Sequence, residues 1–178
     1  MERKTTGTFD SYPEVMHAMQ TRGLLLGAYD AAGKANFMTI GWGMLGFSWG
    51  MPIWTVLVRP SRYTFDCMEH AGAFTVNVPP AALTKACSIC GTQSGRDHDK
   101  VELAGLNASR SQHVDAPVEE HSPIIYHCKV VSATDLNPAM TAAAIAEAYY
   151  PSGDFHRVYF GEVLATEASN TAREVLAP

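Results

Sequence analysis

Short apolar runs separated by turn residues organise the chain. Leu24–Tyr29 is apolar and ends at Asp30-Ala31-Ala32-Gly33, which predicts a strand and a hairpin turn. Phe37–Trp42 is the next strand, and Ile53–Val58, rich in β-branched and aromatic residues, is a third. Ser61 is placed to cap a helix from Arg62 to His70, with Gly72 just past its end. Phe74–Val78 predicts a strand stopped by Pro79-Pro80, and Ala81–Cys90 a helix closed by Gly91. After the polar loop Gln93–Lys100 comes a helical turn, Val101–Leu106. Ile124–Val131 alternates strictly and predicts a long strand. Thr141–Tyr149 is alanine-rich and reads as helix; His156–Thr166 is a final strand after the turn Pro151-Ser152-Gly153-Asp154. Residues 1–12 read as an irregular arm, with a short helix over Pro13–Gln20. About six strands with short helices between them, lacking βαβ alternation, favour one antiparallel barrel domain over residues 1–178.

Composition narrows the function. The chain has 178 residues, a net charge of −5, 47% apolar residues and only 17% charged residues. That balance excludes a disordered chain and leaves no basic excess for nucleic acid. The charge deficit concentrates in Ala35–Val58, 24 residues with no charge. Length alone suits a membrane span, but Gly41, Gly43, Gly46, Gly50 and Pro52 interrupt it. Two buried strands joined by a glycine-rich connection are the better reading. The start, Glu2-Arg3-Lys4, carries no apolar signal run, so a cytoplasmic protein is expected. Cys87 and Cys90 form a lone C-x-x-C late in a helix, where thiols act as small core residues, and the other cysteines, Cys67 and Cys128, stand alone. No second cysteine pair and no H-E-x-x-H spacing supports a metal centre.

Three clusters carry candidate chemistry. Arg59-Pro60-Ser61-Arg62-Tyr63-Thr64 puts two guanidinium groups and two hydroxyls at a helix start, where unpaired N–H groups suit an anion. Its ordinary reading is a capped helix with solvated arginines. Gly91–Lys100 holds Ser94, Gly95, Arg96 and Lys100 in a loop whose backbone can form an anion nest, or whose Asp97 and Asp99 can simply pair with those cations. Asn36–Trp42 offers polar groups and apolar surface for a flat heterocycle, or is a plain core strand.

Together, Asn36-x-Met38-Thr39-x-x-Trp42, Val58–Thr64 and Ser94-Gly95-Arg96-Asp97-x-Asp99-Lys100, closed by Gly153-Asp154-Phe155-His156-x-x-Tyr159-Phe160-Gly161-Glu162, resemble the flavin reductase-like, FMN-binding split-barrel family, flavoredoxins among them. The resemblance spans roughly residues 20 to 166. It implies a mainly β protein with short helices, an antiparallel Greek-key split barrel, and a homodimer with non-covalent FMN at the subunit interface. Carried over, Asn36, Met38, Thr39, Ile40 and Gly41 meet the isoalloxazine and ribityl chain, with Trp42 near the ring. Arg59, Ser61 and Arg62 hold the phosphate at the helix start, helped by Ser94 and Lys100, with Tyr63, Gly95 and Arg96 among the cofactor-binding residues. His156 is the candidate catalytic residue, lining the open ring face to orient a nicotinamide or a proton; a histidine bonded to backbone is the alternative. The implied activity is hydride transfer from NAD(P)H to FMN and on to an acceptor. An electron carrier reduced by a redox partner protein is the second reading, and a binding module that has lost its flavin the third.

Overall fold

The computed structural model describes residues 1–176. In chain order the elements are β1 (Lys4–Thr5), α1 (Tyr12–Thr21), β2 (Leu24–Tyr29), β3 (Ala35–Ile40), β4 (Gly43–Ser48), β5 (Met51–Val58), α2 (Tyr63–Ala71) and β6 (Ala73–Val78). They continue with α3 (Thr84–Thr92), α4 (Lys100–Ala104), β7 (Ala108–Arg110), β8 (Pro117–Glu119), β9 (Ile124–Asp135), α5 (Ala143–Tyr149), β10 (Arg157–Ala168) and α6 (Ala172–Leu176).

The main sheet is antiparallel and runs β3-β2-β6-β9-β10-β5-β4, with β1 added to β10. Its two edge strands, β3 and β4, are consecutive in sequence and joined only by Gly41-Trp42. A two-residue link cannot span an open seven-strand sheet, so the sheet must curl until its edges approach. No backbone ladder joins β3 to β4 among the described residues. The result is a split barrel, mainly β with short helices. One core collects the inward face of all seven strands, with Leu26, Met38, Leu45, Trp54, Phe74, Tyr126 and Tyr159 among its members. Burial at about 25 cal/mol per Å² of apolar surface is what holds the curl. A second cluster, Leu25, Phe37, Ala86, Cys87, Cys90 and Leu106, seats α3 and α4 on the outer face of β2 and β3.

Several boundaries correct the sequence reading. The glycine-rich connection within Ala35–Val58 is itself a strand, β4, on the sheet edge; its unbranched glycines hide a β pattern that pairing with β5 enforces. Strand β3 stops at Ile40, which leaves Trp42 outside any strand and 42% exposed. Helix α3 runs through Gly91 to Thr92 instead of ending there, with Gln93 at its C-cap donating its N–H to the Ile89 carbonyl. Gly72 does close α2, with φ +63. Strand β9 extends to Asp135 because β10 pairs along its whole length through two register shifts. No helix among the described residues is long and apolar enough to cross a membrane.

Candidate functional site

The split leaves a cleft of about 240 Å³ beside the Gly41-Trp42 link. Met38, Thr39, Ile40, Gly41 and Trp42 form one wall, and Leu57, Arg59, Arg62 and His156 the other. Trp42 meets Tyr149 edge-on at 5.1 Å and lies tilted 5.2 Å from the His156 ring. His156 Nδ1 sits 2.7 Å from the Tyr150 hydroxyl. Burial, reinforced by the Arg59 charge, pushes the His156 pKa down to about 4, so the ring is neutral at pH 7.

A smaller hollow adjoins the cleft and shares Met38 and Arg62 with it. Ser61, Tyr63 and Thr64 line it from the start of α2, Cys90, Gln93, Ser94 and Gly95 from the end of α3 and its loop, and Lys100 from the start of α4. Asp99 caps α4 by accepting from the Val101 and Glu102 N–H groups, and this turn delivers Lys100 inward, where it is 5% exposed. Among the described residues its ammonium makes one hydrogen bond, a long one of 3.5 Å to the Cys90 carbonyl. Burial and the Arg62 charge both lower its pKa. Arg62 donates to the Gly91 carbonyl at 3.1 Å. Neither cation has a carboxylate partner among the described residues. A buried ammonium with so little compensation is costly, and the hollow is complementary to an anion.

The start of α2 adds to this. Ser61 does not cap the helix: Arg62 holds the cap position, with no side-chain capping bond. Ser61 instead gives its N–H and hydroxyl to the Asp154 carboxylate, at 3.1 and 2.6 Å. The uncapped first turn therefore faces the hollow. Gly95 closes against it so tightly that a Cβ would lie 2.5 Å from the Tyr63 ring and 2.6 Å from Asn36 Oδ1.

The other predicted residues have protein partners. Arg59 donates to the Tyr149 and Asp154 carbonyls, at 2.8 and 3.2 Å, and stands 4.0 Å from the Asp154 carboxylate. Arg96 pairs with Asp66 at 2.7 Å, donates to the Ser61 carbonyl and covers the Tyr63 ring. Buried Asn36 donates to Thr64, and Tyr63 donates to Asp30. Thr39 donates to the Cys87 carbonyl at 2.6 Å. Arg96 and Asn36 thus stand behind the walls, while the remaining candidates line the two hollows. Sequence reading gave no site role to Leu57, Gln93, Tyr150 or Asp154; Asp154, which adopts φ +59, stood in a turn signal and in the closing motif without a role. The buried thiols of Cys87 and Cys90 are pushed up to about 12 and about 11, chiefly by desolvation, which makes them unreactive packing groups.

This cleft, set in a split antiparallel barrel, is that of a flavin reductase like domain: the family model matches residues 16–177, and the chain belongs to this family. Among individual proteins, the chain is 28% identical over 131 residues to an uncharacterized protein of Archaeoglobus fulgidus, covering 74% of this chain and 64% of that one. It thus spans just under two thirds of that curated relative. A flavoredoxin from Methanosarcina acetivorans superposes with a TM-score of 0.67 at 26% identity, covering 83% of this chain and 68% of that one. An FMN-binding domain of a flavin reductases-like enzyme from Shewanella baltica OS155 superposes with a TM-score of 0.68 at 18% identity, covering 99% and 85%.

Proposed function

We propose that this chain is an FMN-dependent oxidoreductase that uses NAD(P)H. The observation that carries the reading is Lys100, a buried ammonium left for an anion of phosphate size in the hollow that adjoins the cleft. Family membership and the FMN-binding relative support flavin as the molecule bearing that anion. FMN held there would supply the redox chemistry for hydride transfer from NAD(P)H and electron delivery to an acceptor.

The chain's own residues bind and orient. Lys100, Arg62, Ser94 and the open first turn of α2 hold the phosphate. Met38, Ile40, Leu57 and Trp42 give the ring apolar surface and keep water from it. His156, neutral and fixed by Tyr150, lines the face left for a nicotinamide. Arg59 is already engaged with Asp154, so its part is to hold the 149–154 segment against the cleft. A second copy of the chain completes the site: Met44, Phe47 and Trp49, on and beside edge strand β4, expose apolar surface, as a dimer face requires. The reading carries with it a cytoplasmic setting, where NAD(P)H is at hand.

The test is anaerobic mixing of the FMN-loaded protein with NADH and with NADPH, followed by flavin absorbance. Bleaching by either supports the proposal. Bleaching only by a reduced ferredoxin-type protein makes the chain an electron carrier, and failure to retain FMN overturns both readings.

A further inference from the structure

The far end of β10 carries a cluster that the flavin reading does not use. His127 on β9 and Glu167 on β10 are diagonal cross-strand neighbours, because Ala165 lies opposite His127 and Glu167 opposite Ile125. The β7–β8 loop brings His113 over them. His127 Nε2 lies 3.1 Å from Glu167 Oε2, and His113 Nε2 lies 3.4 Å from Oε1. The three potential ligand atoms all fall within 4.8 Å of one another. Glu167 lies ten residues along the strand from Arg157, about 30 Å at the rise of a β-strand, so the cluster is remote from the cleft.

We propose that His113, His127 and Glu167 form a site for one first-row divalent cation, with zinc the fitting member. Two imidazole nitrogens and one carboxylate oxygen are a zinc ligand set that leaves a fourth position for water. Tetrahedral ligation needs these atoms roughly 3.4 Å apart, with bonds of about 2.1 Å. The two nitrogen–oxygen separations run to different oxygens of the Glu167 carboxylate, so the imidazoles already flank that carboxylate near this spacing, and a rotation of it presents one oxygen to a shared cation. His127 is 1% exposed on a rigid strand, while Glu167 and His113 are partly exposed and free to close the remaining gap.

Ser111 supplies the outer support such a site needs. Its hydroxyl lies 2.8 Å from His127 Nδ1, a contact that holds the imidazole in one orientation. The same oxygen accepts the backbone N–H groups of His113 and Val114, at 3.0 and 3.1 Å, and so fixes the loop that presents His113. An adjoining cavity of about 460 Å³, lined in part by Ser111, His127 and Glu167, gives a cation and its water a path in. Sequence spacing hides the set, since its members lie 14 and 40 residues apart. Its role is to tie the β7–β8 loop to the sheet.

The test is zinc titration of the chelator-treated, FMN-loaded protein against a chromophoric chelator, repeated with His113→Ala and Glu167→Gln. The expected result is one zinc per chain, with affinity lowered at least tenfold in each variant while flavin content and far-ultraviolet circular dichroism stay unchanged. Cobalt(II) should give a tetrahedral visible spectrum without a thiolate charge-transfer band. The proposal is overturned by absence of stoichiometric zinc binding, by full-strength binding in both variants, or by a thiolate band that moves the metal to the cysteines.

Discussion

The Arg59 corner and the Lys100 hollow use similar residues and reach opposite electrostatic outcomes. At the first, Arg59 and Ser61 spend their donors on Asp154 and on nearby carbonyls, so the corner is neutralised from within the chain. At the second, Lys100 and Arg62 face each other's charge with only carbonyl contacts. A cation in a cleft therefore says little until its partner is known. The one that burial has stripped of partners is the one that waits for a ligand.

The sharpest way to break this contrast is Lys100→Met. FMN affinity should fall by about 1.5–3 kcal/mol, the loss of a charge-assisted bond, read by flavin fluorescence titration. The flavin-free variant should resist urea better than the parent, because a poorly compensated buried charge has gone. If affinity and flavin-free stability both stay put, the hollow is not the phosphate site. Gly95→Ala comes next: its methyl drives into the Tyr63 ring and Asn36, costing about 1–3 kcal/mol of stability and loosening FMN as the hollow deforms. Asp154→Asn should do less, lowering stability by about 1 kcal/mol or less at an exposed pair while leaving FMN affinity within about threefold. An affinity collapse there would mean that the Arg59 corner, not the hollow, sets flavin binding.

The same contrast carries a pH dependence. The His156 pKa is lowered from 6.5 to about 4 on folding. Below pH 6.5 the unfolded chain binds a proton that the folded chain refuses, so this group subtracts stability as pH falls from 6.5 to 4 and levels off below. His156→Gln should lose less of its urea midpoint across that window. Nuclear magnetic resonance titration should place the ring's midpoint well under 5, and an ordinary midpoint near 6.5 would show a wetter, less charged cleft.

Legibility followed the range of the forces involved. Strand β2 and the glycine end of α2 rest on local pattern and turn chemistry, and both were readable residue by residue. Strand β4 was not, because glycines at an edge show no β preference until β5 pairs with them. The three clusters were visible as clusters, but their charge states were not. Lys100 and Arg96 stand four residues apart in one polar loop, yet one is buried against α3 and the other pairs outside with Asp66. Asp154 looked like a turn residue, and its claim on Ser61, 93 positions away, is a product of tertiary structure.

The Gly41-Trp42 link has a mechanical consequence. Three peptide steps from Ile40 to Gly43 reach at most about 11 Å, so the gauge of the opening is capped covalently at that end, whatever the side chains do. Thermal breathing can widen the gap only from its other end, like a pair of tweezers joined at the heel. Heat, denaturant and sequence drift elsewhere in the barrel leave that heel in place, and a flat guest always meets a slot, never a hole.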